Sequence, residues 1–462
     1  MTVLHETMHI SRPVHEVFAY IADFSTCTEW DSTAISSVKG AGPLGLGSTF
    51  DVVCALPLGS LNLHYEIIEW LPNEKVVLRG TCRFFDIEDT ILFRGGDSTT
   101  VEYTAHISYK GWLSRFASQL EPGLKRMGYA SVCVGMKTAL EDDNPAPALS
   151  AKNARADRWL ATALARFSRR GYRQGREDWL PVSAYMGDKH VLITGATSGL
   201  GLATAQALAA KGARLTLVAR DKNKGESLVQ QLIADTGNQH ITLELANLEL
   251  MTDIRQLVGR LLDKDETIDV LVNNAGALFN TRQLTAEGLE KNFALLLLGP
   301  CILTEGLYPL LKKSSQGRVI NVLSGGLYTQ KLCVDNLQGE IGDYSGSTAY
   351  ALNKRALLVK TEQWAEQWQK EGIVVNAMHP GWADTPGVQS ALPLFRSITR
   401  PILRTPAEGA DTIIWLSIAK EAAKVTGQFF LDREPRTTHL LQKTREDEVA
   451  RVELEKIIEE YV

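Results

Sequence analysis

A tyrosine and a lysine four residues apart can act together in acid–base chemistry when one helix carries both. This spacing puts the two side chains on the same helix face, where the lysine charge lowers the pKa of the phenol. Such a phenol can exchange a proton with a substrate oxygen near neutral pH. The pattern occurs three times in this chain, as Tyr185/Lys189, Tyr308/Lys312 and Tyr350/Lys354. The spacing alone therefore does not identify a site.

The sequence around the third pair sets it apart from the other two. It opens a long predicted helix, STAYALNKRALLVK, whereas the first pair spans a Gly-Asp turn and the second is interrupted by a proline. Ser324 precedes the third pair at the carboxyl end of the predicted strand RVINVLS, and reactive groups of parallel sheets gather at such ends. We therefore expect Tyr350 to be the general acid, Ser324 to orient a substrate carbonyl, and Lys354 to support the tyrosine.

A glycine-rich turn follows the first strand of the same half of the chain. It joins the predicted strand HVLIT to the predicted helix LATAQALAAKG. Glycines allow the backbone to approach a pyrophosphate, and the helix N-terminus favours an anion. The residues of the turn are Thr194, Gly195, Ala196, Thr197, Ser198, Gly199, Leu200 and Gly201. Because strands and helices alternate from His190 onward, we expect an α/β fold with a doubly wound parallel Rossmann sheet.

The residues after the second strand bear on the choice of dinucleotide. Sites that prefer NAD carry a carboxylate here, which accepts a hydrogen bond from the ribose 2′-hydroxyl. This chain has Ala219 and then Arg220, and a guanidinium suits a 2′-phosphate. We therefore favour NADP(H) over NAD(H). The alternative is a solvated arginine at the end of a strand.

These motifs resemble those of the short-chain dehydrogenase/reductase family. From about residue 165 onward, GLEKNFA, LSGGLYTQKL, HPGWADTPGV and RTPAEGADT are similar to the dehydrogenase/reductase member-12 subgroup. The resemblance implies an oxidoreductase that transfers hydride between a nicotinamide and a carbonyl or alcohol substrate. Beyond the glycine turn and Arg220, it implies cofactor contacts at Asn247, Leu248, Asn274, Ala275, Gly276, Tyr350, Lys354, Pro380, Gly381 and Thr385.

One position departs from the family pattern. In KNFALLLLGP, the catalytic asparagine of the family falls at Leu296. In the family, that asparagine lies at a helix kink and holds a water that links the lysine to solvent. A leucine side chain cannot hold a water in this way. Two hypotheses follow: the Ser-Tyr-Lys set still works with a differently routed proton, or the chain is a catalytically weak or inactive protein that binds nucleotide and lipid.

Residues 1–140 have a different pattern, in which one strand and a short helix precede a run of β-rich segments. A long helix is predicted from Trp112 to Leu140. The opening ISRPVHEVFAYIADFSTCTEWD resembles polyketide-cyclase/START-like domains of the helix-grip fold. The resemblance implies an α+β domain with an apolar cavity for a lipid-like ligand. The alternative is that the same apolar residues only fill a core.

Residues 141–187 form a predicted linker and basic connector between this domain and the short-chain dehydrogenase/reductase domain of residues 188–462. The linker is EDDNPAPALS. An amphipathic helix in residues 151–180 could contact a membrane surface, or could pack on a neighbouring domain. Its apolar stripe would consist of Trp159, Leu160, Ala163, Leu164 and Phe167.

Composition narrows the remaining functions. A net charge of −5 gives no reason to expect nucleic acid. No apolar run is long enough to span a bilayer. None of the six cysteines forms a CxxC pair, so we expect no metal site and a reducing, cytoplasmic location. Residues 382–405 predict a mobile lid over the cofactor, and their Leu, Pro and Phe residues favour an apolar substrate. A docked terminal helix with Val449, Val452, Ile457 and Tyr461 at helix-compatible positions is also predicted, and the oligomeric state is left open.

Overall fold

The chain divides into two compact units, formed by residues 1–145 with 179–185 and by residues 146–178 with 186–462. The predicted linker limits of 141 and 187 stay a prediction. Most of the predicted helix from Trp112, the tyrosine at 185 and four residues of the connector stripe lie outside the described residues. The computed structural model describes residues 2–31, 33–56, 59–111, 129–141, 146–157, 165–176, 179, 186–187, 189–391 and 393–462.

The first unit is built on one antiparallel sheet, as the α+β prediction requires. Its described strands are β1 (Thr2–Ile10), β2 (Ala34–Lys39), β3 (Thr49–Leu56), β4 (Gly59–Leu71), β5 (Lys75–Thr81), β6 (Phe85–Gly95) and β7 (Thr99–Tyr109). They pair in the order β1-β7-β6-β5-β4-β3-β2. Its described helices are α1 (Val14–Ala22), α2 (Cys27–Trp30) and α3 (Lys137–Leu140). Successive side chains of a strand face opposite sides, so one face of the sheet packs into an apolar core with α1 and α2.

The second unit contains the predicted parallel sheet. Its described strands are β8 (His190–Thr194), β9 (Arg214–Ala219), β10 (Ile241–Leu245), β11 (Val270–Asn273), β12 (Arg318–Val322), β13 (Val374–Met378), β14 (Phe429–Leu431) and β15 (Glu434–Pro435). They pair in the order β10-β9-β8-β11-β12-β13-β14-β15, and only the last pair is antiparallel. The strand order reverses between β8 and β11, which opens a crevice at the carboxyl ends of those strands.

Helices surround this sheet and cover its buried strands. They are α4 (Ala151–Asp157), α5 (Arg169–Arg176), α6 (Gly199–Ala210), α7 (Lys222–Thr236), α8 (Met251–Lys264), α9 (Lys291–Phe293), α10 (Gly299–Gly306), α11 (Tyr308–Leu311), α12 (Gly346–Trp368), α13 (Pro386–Ala391), α14 (Pro393–Thr399), α15 (Pro406–Ile418) and α16 (Glu448–Glu459). Strands covered on both faces read as continuous apolar runs, and every residue of β8 and β12 is buried. Of the described helices, none is long and apolar enough to cross a membrane.

The long helix α12 carries the predicted Tyr/Lys pair and also secures the loop before it. The Nδ2 of its buried Asn353 donates to the Leu337 carbonyl at 3.0 Å. The Nη1 of its buried Arg355 donates to the Thr438 carbonyl at 2.8 Å. The first of these bonds ties the loop between Ser324 and α12 to the helix.

Residues 151–157 and 165–176 of the connector belong to the second unit, whereas Trp179 belongs to the first. The Nδ2 of Asn153 donates to Glu434 Oε2 at 2.8 Å, and Asp157 forms a buried ion pair with Arg436. On α5, Arg169 Nε lies 2.9 Å from Glu408 Oε1. These polar groups of the connector are therefore engaged within the unit. The membrane contact suggested for residues 151–180 stays a prediction.

Candidate active site

The glycine-rich turn and the loop after β11 are joined by hydrogen bonds at the crevice. Thr194 Oγ1 accepts from the backbone N–H groups of Asn274 at 2.9 Å and Ala275 at 3.0 Å. Asn274 Nδ2 donates in return to the Thr194 carbonyl at 2.8 Å. These bonds fix the spacing between β8 and β11, which is the spacing that a bound dinucleotide would span.

The glycines of the turn leave room that other residues would fill. Gly195 has φ of 65°, and a Cβ there would lie 2.9 Å from the Cα of Ala275. A Cβ on Gly201 would lie 2.3 Å from the Gly195 carbonyl oxygen. Among the described residues, no side chain caps α6 at Ser198. Its first N–H groups are therefore available to an anion, and the turn fits a pyrophosphate.

The segment after β13 lies against this turn. A Cβ on Gly199 would lie 3.3 Å from the Thr385 Cβ. Pro380 packs over α15, 3.4 Å from an added Cβ on Gly409, as does Leu200 at 2.7 Å. The predicted cofactor-binding residues of the turn and of the segment at 380–385 therefore lie close together. Thr197 of the turn is half-buried.

Arg220 occupies the expected place after β9 but has a partner that the motif did not predict. Its Nη1 donates to Glu249 Oε1 at 2.8 Å, although its own side chain is 70% exposed. Lys291 Nζ lies 3.4 Å from the other oxygen of Glu249. The adenosine end of the crevice therefore holds two cations around one buried carboxylate, and most Arg220 donors face outward.

Asn247 and Leu248 form the turn after β10. The Asn247 side-chain oxygen accepts from the Glu249 N–H at 3.2 Å, so this amide shapes the turn that presents Glu249. The Leu248 carbonyl oxygen would lie 3.1 Å from a Cβ on Gly299. Both residues are half-buried at the edge of the crevice.

Ser324, Tyr350 and Lys354 meet beyond the carboxyl end of β12. Ser324 caps the short helical turn that follows, and its Oγ accepts from the Gly326 N–H at 3.2 Å. Burial raises the pKa of Tyr350, and a hydrogen bond with the Ser324 side chain offsets part of that rise. The serine is therefore within reach of the phenol, as a shared role at one substrate oxygen requires.

Lys354 is buried beneath this pair. Its Nζ donates to the Val322 carbonyl at 2.7 Å. Burial lowers its pKa to about 7, because the charged ammonium is poorly solvated there. The lysine is thus only partly protonated at neutral pH, and a negative ligand beside it would restore its charge.

The second Tyr/Lys pair has a different environment. Tyr308 donates to Glu371, and Lys312 Nζ lies 2.7 Å from Glu371 Oε2 on the protein surface. Lys312 is 56% exposed. A carboxylate therefore already neutralises this lysine, and the pair lies away from the carboxyl edge of the sheet. This geometry agrees with the preference for the third pair over the second.

Leu296 lies in a wider helical turn, Ala294–Leu298, between α9 and α10. Such π-helical turns occur often at functional sites. Leu296 is fully buried. A Cβ on Gly276 would lie 3.3 Å from Leu296 Cδ2 and 3.8 Å from Lys354 Nζ. The leucine therefore faces the lysine region, where the family pattern places a polar relay.

Phe167 is a residue of the site that motif matching missed. The connector places its ring against Gly325, where an added Cβ would lie 2.8 Å from Phe167 Cε2. The ring meets His379 edge-on at a centroid distance of 4.5 Å. Its carbonyl accepts from the Trp382 N–H at 2.8 Å. Phe167 thus supports both the loop of Ser324 and the segment of Pro380, and only its apolar character marked it in the sequence.

This parallel sheet, with a glycine-rich turn at its crevice, is typical of nicotinamide-binding oxidoreductases. The profile of the short chain dehydrogenases matches residues 189–393. The chain is 39% identical over 310 residues to Dehydrogenase/reductase SDR family member 12 of Bos taurus, covering 66% of this chain and 97% of the relative. The human protein of that name is 41% identical over 304 residues, covering 65% and 94%. This chain belongs to the short-chain dehydrogenase/reductase family.

More distant relatives and the first unit complete the comparison. Human retinol dehydrogenase 13 is 31% identical over 260 residues, covering 54% of this chain and 78% of the relative. The profile described as polyketide cyclase / dehydrase and lipid transport matches residues 1–141. Both predicted resemblances are therefore confirmed, and the chain joins two families of domain.

Proposed function

We propose that the chain is an NADP(H)-dependent oxidoreductase that interconverts an apolar carbonyl compound and its alcohol. The observation that carries the proposal is the contact between Ser324 and Tyr350 above the buried Lys354. These groups lie at the carboxyl end of β12, beside a glycine turn that fits a pyrophosphate. The family membership supports hydride transfer as the reaction class.

Each residue of the site has a role in this reaction. The N–H groups at the start of α6 would bind the pyrophosphate, and Lys354 would bind the nicotinamide ribose. The bound cofactor supplies or accepts the hydride. Ser324 donates a hydrogen bond to the substrate oxygen, and Tyr350 gives that oxygen a proton during reduction.

The preference for NADP(H) rests on Arg220. Its exposed guanidinium uses one nitrogen for Glu249, and an arginine has five N–H donors. The remaining donors can bind a 2′-phosphate, while the adjacent Ala219 offers no carboxylate to a ribose hydroxyl. Glu249 then serves to hold the guanidinium in place.

The apolar character of the substrate rests on the lid over residues 382–405. Ile398 is 72% exposed and Ile402 is 43% exposed. Arg396 and Asp384 form a two-pronged ion pair at the base of this segment, with Nε to Oδ1 at 2.8 Å. Exposed isoleucines on a tethered segment suit contact with an apolar molecule.

The test compares turnover by matched tyrosine variants. NADPH oxidation is measured with a panel of apolar aldehydes and ketones. We expect turnover by the unaltered chain, a loss of at least about a hundredfold in Tyr350→Phe, and no change in Tyr308→Phe, which removes the surface hydroxyl. Equal activity in all three proteins would refute the assignment of Tyr350.

The Leu296 observation supports a second candidate, a nucleotide-binding protein with little or no turnover. Here the second unit would bind the dinucleotide without reducing a carbonyl. Calorimetry that shows micromolar NADPH binding, together with no turnover on the carbonyl panel, would favour this candidate. Loss of NADPH binding in Gly201→Val would establish that such binding uses the glycine turn.

We also propose that the first unit binds an apolar, lipid-like ligand. Its apolar core on one sheet face and the family profile over residues 1–141 support this role. Lipid retained by the purified chain, identified by mass spectrometry, would support the proposal. A chain that retains no lipid and takes up none from vesicles would contradict it.

A further inference from the structure

Asp89 is a fully buried carboxyl in the middle of β6. Its neighbours on the same face of the strand, Ile91 and Phe93, belong to the apolar core. Among the described residues, neither of its oxygens has a hydrogen-bond partner. Burying a polar group without a partner is unfavourable, so packing alone does not account for a carboxyl at this position.

The strand register puts a small residue opposite Asp89 and a phenol diagonally beside it. Asp89 pairs with Ala105 on β7, and Ile91 pairs with Tyr103. Alanine presents a small side chain opposite the carboxyl, and Tyr103 lies diagonally across on the same face, within reach of a long side chain. Tyr103 is 7% exposed, so its hydroxyl also lies inside the unit.

A second phenol approaches from the other side. Tyr65 on β4 pairs with Gly80 on β5, which in turn pairs with Ile87 on β6. A Cβ on Gly80 would lie 2.5 Å from Tyr65 Cε1 and 2.6 Å from Ile87 Cγ2. The missing side chain therefore lets the Tyr65 ring lie across β5 towards the strand that carries Asp89.

The charges around Asp89 select the kind of group that it can bind. Burial raises the pKa of Asp89 to about 7, and the nearby phenols of Tyr103 and Tyr65 offset part of that rise as hydrogen-bond donors. Among the described residues, neither phenol meets the full geometry of a hydrogen bond to the Asp89 oxygens. Asp31 and Glu88 raise the pKa further. These neighbouring carboxylates repel an anion, and a carboxylate oxygen accepts hydrogen bonds. A neutral donor fits these surroundings, whereas a fatty acid carboxylate does not.

We propose that Asp89, between the phenols of Tyr65 and Tyr103, is the polar anchor of a binding site for an apolar molecule that carries a hydroxyl group. The inference rests on the apolar-ligand role proposed above for the first unit. The hydroxyl donates to Asp89, and a phenol donates to the hydroxyl oxygen. Because carbonyl reduction yields an alcohol, the two units would recognise the same kind of product.

The test uses the full chain without cofactor and three probes of one chain length: decanol, decyl methyl ether and decanoate. Binding is measured by calorimetry or by the fluorescence of the tryptophans. A hydrogen bond to a carboxylate predicts that decanol binds about 10- to 100-fold tighter than the ether. Decanoate should bind more weakly than decanol. In Asp89→Leu, the preference for decanol over the ether should fall to about twofold or less.

Three controls test whether the preference for decanol arises at Asp89. Tyr308→Phe should keep the decanol preference, because the hydroxyl that it removes binds Glu371 on the surface of the second unit and belongs to neither site. Asp89→Leu should unfold at the same temperature as the unaltered chain or higher, since it removes an unpaired buried carboxyl. If Asp89→Leu does not fold, Asp89→Asn and Tyr103→Phe should each reduce the preference.

The outcomes that overturn the proposal are distinguishable from failure of the ligand role itself. Equal binding of decanol and the ether would mean that the unit holds an apolar ligand and that water alone satisfies Asp89. A preference for decanol that survives in Asp89→Leu would place the hydroxyl elsewhere. If none of the three probes binds, the apolar-ligand role fails for this chain length, and the anchor fails with it.

Discussion

We expect this chain to take up a proton at Lys354 when it binds the cofactor. The Lys354 ammonium is buried against the Val322 carbonyl, and its pKa is lowered to about 7. A dinucleotide brings negative charge and ribose hydroxyls to this place, and both favour the charged lysine. Binding should therefore raise the pKa towards its ordinary value, and the protein should take a proton from solution.

The size of the uptake follows from the two pKa values. With a pKa of about 7, roughly a tenth of Lys354 is protonated at about pH 8 and roughly nine tenths at about pH 6. In the complex the lysine is almost fully protonated at either pH. We therefore expect an uptake of about 0.9 proton per cofactor near pH 8 and about 0.1 near pH 6.

The measurement is calorimetric titration with NADPH in two buffers that have different ionisation enthalpies. The difference in apparent enthalpy gives the number of protons exchanged at each pH. Lys354→Met is the control, because it removes the lysine and leaves protons contributed by the 2′-phosphate of the cofactor. After the proton exchange of Lys354→Met is subtracted, a remainder that does not change with pH would refute this role of the buried lysine.

Four further predictions test the site. Lys354→Met should stabilise the cofactor-free chain by about 2–4 kcal/mol near pH 7. The lowered pKa penalises the folded state below about pH 7 and the penalty fades towards pH 10, so thermal unfolding should show a gain that shrinks as the pH rises. Leu296→Asn should raise kcat about tenfold or more if a proton relay is missing. The same change should lower the free energy of unfolding by about 2–4 kcal/mol. An unchanged kcat in the folded variant would place the limiting step elsewhere. Arg220→Ala should weaken NADPH binding about 10- to 100-fold and leave NADH binding unchanged, whereas equal losses would favour a merely structural arginine. Phe167→Ala should lower kcat and cost about 3–4 kcal/mol, and Phe167→Leu should recover most of both, which separates positioning from lost packing.

The parallel sheet was accessible from the sequence because its strands are short apolar runs that alternate with helices. HVLIT matches β8 residue for residue, whereas β12 ends at Val322, two residues before the end of the predicted RVINVLS. The strands of the antiparallel unit were harder to predict from the sequence. AISSVK, which forms β2, carries two serines and an exposed valine and gives no alternating apolar pattern. Its strand character comes from pairing with β3, which is a contact between distant residues.

In the terminal helix, the apolar residues alone do not determine which face packs against the core. The prediction that a helix docks there agrees with α16, and two of its four named residues, Ile457 and Tyr461, pack partly buried against the core. Val449 and Val452 are 75% and 49% exposed, whereas Leu454 and Ile458 are buried. The buried Lys360 on α12 binds Glu455 Oε2 at 2.6 Å, and this ion pair fixes which face of α16 turns inward.

The sequence motifs also did not predict the ion-pair partners of charged residues. Arg220 predicted a phosphate contact from its place after β9, yet nothing in the sequence indicated that Glu249 would hold it. The carboxylate reaches Arg220 because the Asn247 side chain turns the chain after β10. A local motif identifies the donor, whereas its electrostatic surroundings depend on which strands the fold makes neighbours.

For Leu296 and Lys354, the open question about activity is how a proton reaches Tyr350. The wider helical turn that would present a polar relay is present at Ala294–Leu298, although its side chain at 296 is apolar. Lys354 consequently has a backbone carbonyl as its polar partner and a lowered pKa. Because cofactor binding should recharge this lysine, Tyr350 would have a charged neighbour in the complex without a relay. Turnover that depends on this charge should therefore stay level between about pH 6 and pH 8 and fall only as the pH approaches the ordinary lysine pKa.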